Sequence, residues 1–132
     1  MGDFNPFVRK EAEIMAWELG VKTAKNEEVG VYVTEIDNGD YTKVKSVNFA
    51  GGTKSFKANV ASVSQGGRIE IHVDSLTGTL LGTCMVKLTG SLQNWKVQSC
   101  KVTNVKGIHD LYFVFKGNEG KLFNFDWWMF KK

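Results

Sequence analysis

The feature that most constrains this chain is a repeated two-residue beat. Nine segments alternate apolar and polar side chains: Phe7–Ile14, Val31–Ile36, Tyr41–Val47, Lys54–Val63, Arg68–Asp74, Leu80–Lys87, Gln93–Val102, Asp110–Phe115 and Lys121–Phe130. Turn residues separate them, as at Asp37-Asn38-Gly39-Asp40, Gly51-Gly52, Gln65-Gly66-Gly67 and Gly117-Asn118. Glycine and asparagine supply the positive φ angles that tight turns need. The only helical candidate, Ala12–Leu19, is short and uncapped, so parallel α/β folds are excluded. The pattern predicts an all-β fold, a β-sandwich jelly roll of about nine antiparallel strands. A fatty-acid-binding barrel of similar length needs two helices after its first strand, and none is legible.

The 132 residues suit one domain, and 42% hydrophobic content can fill a core. Residues 1–6 read as a flexible linker and residues 7–132 as the folded module. No apolar run approaches the roughly 20 residues that span a bilayer. Met1-Gly2-Asp3 opens no signal peptide, which leaves a cytosolic protein or one module of a longer secreted chain. A net charge of +3 on dispersed lysines, with Arg68 the one arginine beyond residue 10, argues against nucleic acid. Cys84 and Cys100 fall on neighbouring expected strands. A disulfide and two buried thiols both stay open.

The stretch Gly120 to Phe130 carries the chemistry. As an unbroken strand it sets Phe123, Phe125, Trp127 and Met129 on one face, and Asn124, Asp126, Trp128 and Phe130 on the other. Such a strand can bury one face and present an amide and a carboxylate on its reverse. In Arg68–Asp74, Ile69, Ile71 and Val73 face one way, and Glu70, His72 and Asp74 the other. His72 and His109 have no partners at metal-ligand spacing.

Several segments together resemble family 6 carbohydrate-binding modules. They are Lys10-Glu11-Ala12-Glu13-Ile14, Ile36 to Tyr41, Ile69 to Cys84, Thr89 to Trp95, His109 to Gly117, and Leu122 to Trp127. Each is weak alone; in this order they cover the chain from about Val8 to Phe130. The wording is nearest to modules of clostridial xylan- and arabinan-degrading enzymes, some of them cellulosomal. The resemblance implies a jelly roll with a structural calcium ion, held by Glu11, Glu13 and Asp126. Ca²⁺ takes about 6–8 oxygen ligands, so backbone carbonyls complete the shell, with Lys22–Asn26 as one source.

The resemblance also implies a sugar cleft among the loops at one end of the sandwich. There two aromatics clamp a ring while a Glu and an Asn bond its hydroxyls. The Asn matches Asn124. The stacking Trp falls on Leu92, the stacking Tyr on Glu35 and the Glu on Ala24, so three of four contacts differ. Each lost platform removes roughly 1–3 kcal/mol by analogy with base stacking. Trp95 matches a second Trp expected in the core. Tyr32 lies near Glu35, on the opposite strand face.

Four functions compete on these residues: binding in an altered end cleft lined by Asn124, Glu35, Leu92 and Tyr32; binding on the concave sheet face through Glu70, His72 and Asp74; a non-binding spacer or protein-contact module; and an enzyme. No nucleophile, base and orienter set is readable, and no motif pairs carboxylates as a glycosidase requires. The resulting expectation is a secreted, monomeric, calcium-stabilised, non-catalytic module. It targets an appended glycoside hydrolase to plant cell-wall polysaccharide such as xylan or arabinoxylan, and contacts neither nucleic acid nor membrane.

Overall fold

A computed structural model describes residues 6–7, 10–11, 17–19, 22–26, 30–34, 36–63, 67–91, 93–117 and 122–132. The described residues hold eleven strands: β1 Lys10–Glu11, β2 Trp17–Leu19, β3 Lys22–Asn26, β4 Gly30–Thr34, β5 Tyr41–Asn48, β6 Ser55–Ala61, β7 Gly67–Val73, β8 Thr79–Val86, β9 Lys96–Lys101, β10 Ile108–Lys116 and β11 Asn124–Lys131. They form two sheets. One runs β3-β4-β11-β6-β9 with β1 also on β11; the other runs β2-β5-β10-β7-β8. All described pairings are antiparallel. From β4 onward the chain changes sheet at nearly every connection; only the β7–β8 turn keeps it in one sheet. This is the expected jelly-roll sandwich.

The alternation explains the layering. Strand β7 buries Ile69, Ile71 and Val73 and leaves Arg68, Glu70 and His72 half-exposed on its outer face. Between the sheets, Phe56, Phe113, Phe125, Trp128 and Phe130 interlock. Their neighbouring ring centroids lie 5.0–5.8 Å apart, mostly tilted or edge-to-face. Quadrupolar rings favour these geometries over flat stacks. The glycines of the Thr77-to-Cys84 motif serve close packing. A Cβ on Gly78 would collide with the Val73 carbonyl, and one on Gly82 would press on the Lys101 carbonyl at 2.8 Å.

Three expectations need correction. Trp17–Leu19, inside the helical candidate, is a strand paired with Tyr41–Lys43; residues 12–16 lie outside the described set. Edge pairing on an open sheet outweighs a weak helical pattern. Phe7 sits in a turn, not a strand, and Pro6 is buried with its carbonyl accepting from the Phe130 N–H at 2.8 Å. The third correction concerns β11. Its register on β6 shifts between Phe125 and Trp127, so Asp126 is the extra residue of a β-bulge. Parity flips there. Phe123, Phe125, Trp128 and Phe130 all reach the core, while Trp127 and Met129 are half-exposed.

Candidate functional site

One end of the sandwich gathers the end of β4, the start of β11, the end of β6 and the loop from Lys87 to Trp95. Phe125 pairs with Val33, which sets Asn124 beside Thr34. The Thr34 hydroxyl donates to Asn124 Oδ1 at 2.7 Å and so fixes which way the amide faces. Asn124 is itself buried. The loop is pinned from below. Thr89 Oγ1 accepts from the Ser62 N–H at 2.9 Å, the Thr89 N–H donates to the Ser62 carbonyl at 2.9 Å, and Asn94 Nδ2 donates to the Thr89 carbonyl. Gln93 then reaches Tyr32, its Nε2 donating to the hydroxyl at 3.3 Å. Trp95 stands edge-on to Tyr32, with centroids 5.2 Å apart. Trp95 was expected in the core; it is half-buried and belongs to this loop end. Tyr32 is buried under the loop, as a support.

Thus Asn124 and Tyr32 come to one end of the molecule. Glu35 and Leu92 lie outside the described residues, although their chain neighbours Thr34 and Gln93 belong to this end. Ala24 pairs with Tyr32 on the adjoining strand β3. Thr34, Gln93 and Thr89 were not singled out in the sequence. The Thr89-to-Trp95 motif was the available signal.

The expected metal residues divide likewise. Asp126 is fully buried, and its Oδ2 accepts from Asn59 Nδ2 at 3.2 Å. On one side β11 pairs with β4 at Phe125 and with β1 at Trp127 and Trp128, so Asp126 stands at the seam between two partner strands. Glu11 pairs with Trp127, one position from Asp126. Glu13 lies outside the described residues. Among the described residues no group of three or more His, Cys, Asp or Glu side chains could hold a metal.

The outer face of the five-stranded sheet offers a second site. Tyr112 pairs with Lys43 on one side and His72 on the other, so the three share that face. A depression of about 620 Å³ is lined by Tyr41, Lys43, Lys45, Tyr112 and the turn Ser75–Thr77. Glu70 and His72 do lie on this face, joined at 3.4 Å. Asp74 does not join them. It leaves β7 with φ of 76° and bonds His109 Nδ1 at 2.9 Å. The tyrosines were missed because Tyr41 and Tyr112 sit in separate segments that only the sheet brings together.

The two cysteines meet across the sandwich edge, Cys84 from β8 and Cys100 from β9. Their thiols hydrogen-bond each other. That bond, then burial, pushes Cys84 up, while the same bond lowers Cys100.

A family model described as carbohydrate binding module (family 6) matches residues 11–132. The chain belongs to that family. As a member of that family the module is the carbohydrate-binding, non-catalytic kind. It is 44% identical, over 98% of its length, to an arabinoxylan arabinofuranohydrolase of Bacillus subtilis (strain 168), of which it spans 26%. An arabinoxylan arabinofuranohydrolase of Paenibacillus polymyxa is 41% identical, and the chain spans 21% of it. The module thus covers about a quarter of the length of these curated relatives. Among solved structures it superimposes with a TM-score of 0.94 and 44% identity on a family 6 module from Clostridium cellulolyticum in complex with xylose. That match covers 97% of this chain and 99% of the other. A β-1,3-glucan-binding family 6 module from Bacillus halodurans follows at 0.93 and 35%, covering 99% of this chain and all of the other.

Proposed function

We propose that this module is the targeting domain of a secreted glycoside hydrolase and binds xylan, arabinoxylan or their oligosaccharides in the end cleft beside Asn124. The observation that carries this reading is the buried Asn124 amide, oriented by Thr34 under a loop pinned at Thr89. A buried amide held in one orientation reads a hydroxyl by matched hydrogen bonds and rejects a sugar that leaves it unpaired. Glu35 and Leu92 would line the same cleft. A carboxylate in place of an aromatic suits a small, hydroxyl-rich terminal sugar better than a stacked chain. The relatives named for arabinoxylan, and the one complexed with xylose, support that substrate class.

Calcium belongs to the same reading. A fully buried carboxylate requires a compensating charge or hydrogen bonds. Asp126 offers the hard oxygen that Ca²⁺ favours, at a bulge where β1 and β4 meet. Glu11, on the strand paired beside it, and Glu13 are the proposed further ligands. The ion would tie the first and last strands together.

A second reading, binding on the five-stranded sheet face, draws on the depression at Tyr41, Lys43 and Tyr112. Affinity gels containing xylan, arabinan, β-glucan or cellulose test the proposal. Xylan is expected to retard the wild type, and Asn124→Ala is expected to run unretarded. Retardation of Asn124→Ala combined with free running of Tyr112→Ala would move the site to the sheet face. Free running of the wild type in all four gels would remove the glycan-binding proposal.

A further inference from the structure

Charge is divided unevenly along this chain. Residues 41–69 and 75–109 hold nine lysine or arginine residues and no aspartate or glutamate. Strands β6 and β9 both come from these stretches and lie side by side, with β11 next to β6. Directly paired residues share a face. The register therefore lays out rows on the outer surface of the six-stranded sheet. Lys131, Ser55 and Lys101 form one row; Met129, Lys57 and Ser99 the next; Trp127, Asn59 and Val97 the third.

A depression of about 410 Å³ opens over the first two rows, lined by Ser55, Lys57, Ser99, Lys101 and Lys131, with no carboxylate among its described lining residues. None of these three lysines forms an ion pair among the described residues. Strands lie about 4.8 Å apart, so Lys131 and Lys101, two strands apart, are separated by about 10 Å at their Cα atoms. Like charges across neighbouring strands repel, and an occupant of opposite charge relieves that repulsion. The Lys57 ammonium also lies 5.9 Å from the centre of the half-exposed Trp127 ring.

We propose that this face is a second glycan surface, which takes a polysaccharide bearing uronic-acid carboxylates. Lys57, Lys101 and Lys131 meet the carboxylates, Ser55 and Ser99 bond hydroxyls, and Trp127 offers a flat apolar platform to a sugar face. The surface is shallow and spans three strands, which fits a polymer lying across them. Charge complementarity selects the anionic polymer. The hydroxyls and the indole select a sugar over a polyphosphate, whose backbone has no face to stack. This surface lies on the sheet away from Asn124 and does not rest on the end-cleft reading.

Affinity electrophoresis at low salt in gels containing polygalacturonate tests it, with xylan and inorganic polyphosphate gels in parallel. Polygalacturonate is expected to retard the wild type, and about 0.5 M NaCl is expected to release it, since screening then acts within a few ångströms. Lys57→Gln/Lys101→Gln/Lys131→Gln is expected to bind polygalacturonate roughly tenfold more weakly, with xylan retention unchanged. The lysines reach solvent, so melting is expected to stay at the wild-type temperature; Lys101→Glu is a second, single-site variant with the same expected direction. Asn124→Ala is expected to keep its polygalacturonate retention. Free running of the wild type, full retention by both lysine variants, loss in Asn124→Ala, or equal retention by polyphosphate would each overturn the proposal.

Discussion

His109 shows how much a single side chain can fix. Its Nδ1 faces the Asp74 carboxylate at 2.9 Å and its Nε2 faces the Lys106 carbonyl at 2.8 Å. Both partners accept hydrogen bonds, so this setting favours the doubly protonated imidazolium. The bond to Asp74, aided by the one to Lys106, raises the pKa above 6.5. A raised folded value adds stability that is complete below pH 6.5 and is lost as pH climbs through the folded value. Melting temperature, measured against His109→Gln, is therefore expected to fall on that alkaline side. The difference is small because Asp74 is 62% exposed and screened; a difference that grows with pH would contradict the assignment. Thr34 is a second such residue. Thr34→Val removes the hydroxyl that donates to the buried Asn124 carbonyl and is expected to cost about 1 kcal/mol in denaturant unfolding. On the proposed function it also weakens xylo-oligosaccharide binding through loss of amide orientation. Unchanged stability with unchanged affinity would remove the positioning role.

Strand β11 marks how far the sequence could be read at the level of elements. Its alternation was legible, and so was the strand. The bulge at Asp126 was not. One inserted residue leaves period-two counting intact on each side while reversing which face is inside, so Trp127 and Trp128 exchanged roles. The short edge strands β2 and β3 escaped for another reason: they are set by the partners they find, not by a strong local pattern. The seam at Asp126 gives the calcium proposal its test. Chelation is expected to lower the melting temperature and to leave Asp126→Asn at its own metal-free value. An identical melt with and without chelator, and no metal in elemental analysis, would contradict it. Strands β8 and β9 carry a further prediction. Oxidised glutathione can exchange the facing thiols for one inter-sheet disulfide, releasing two reduced glutathiones. Closing a loop of roughly 15 residues adds about 3 kcal/mol. Intact mass should drop by two hydrogens, and the melt should rise and revert with reductant. Unreacted thiols after oxidation would refute the juxtaposition.

At the scale of the whole molecule, the two sheets separate three surfaces: the loop end with Asn124, the tyrosine-bearing face of the five-stranded sheet, and the lysine-bearing face of the six-stranded sheet. The sandwich itself was readable because alternation and glycine turns repeat through nearly the whole chain. The surfaces were readable only where a motif named them. Tyr41 with Tyr112, and Lys57 with Lys101 and Lys131, are far apart in sequence and become neighbours through crossovers that local patterns do not encode. The family membership fixes the module as a carbohydrate binder, and the central claim is that Asn124 is its reading group. Isothermal titration of a xylo-oligosaccharide into wild type and Asn124→Ala, with melts to confirm that both are folded, addresses it most directly. The account predicts saturable heat for the wild type and none for a folded Asn124→Ala; equal affinities in the two proteins would contradict it.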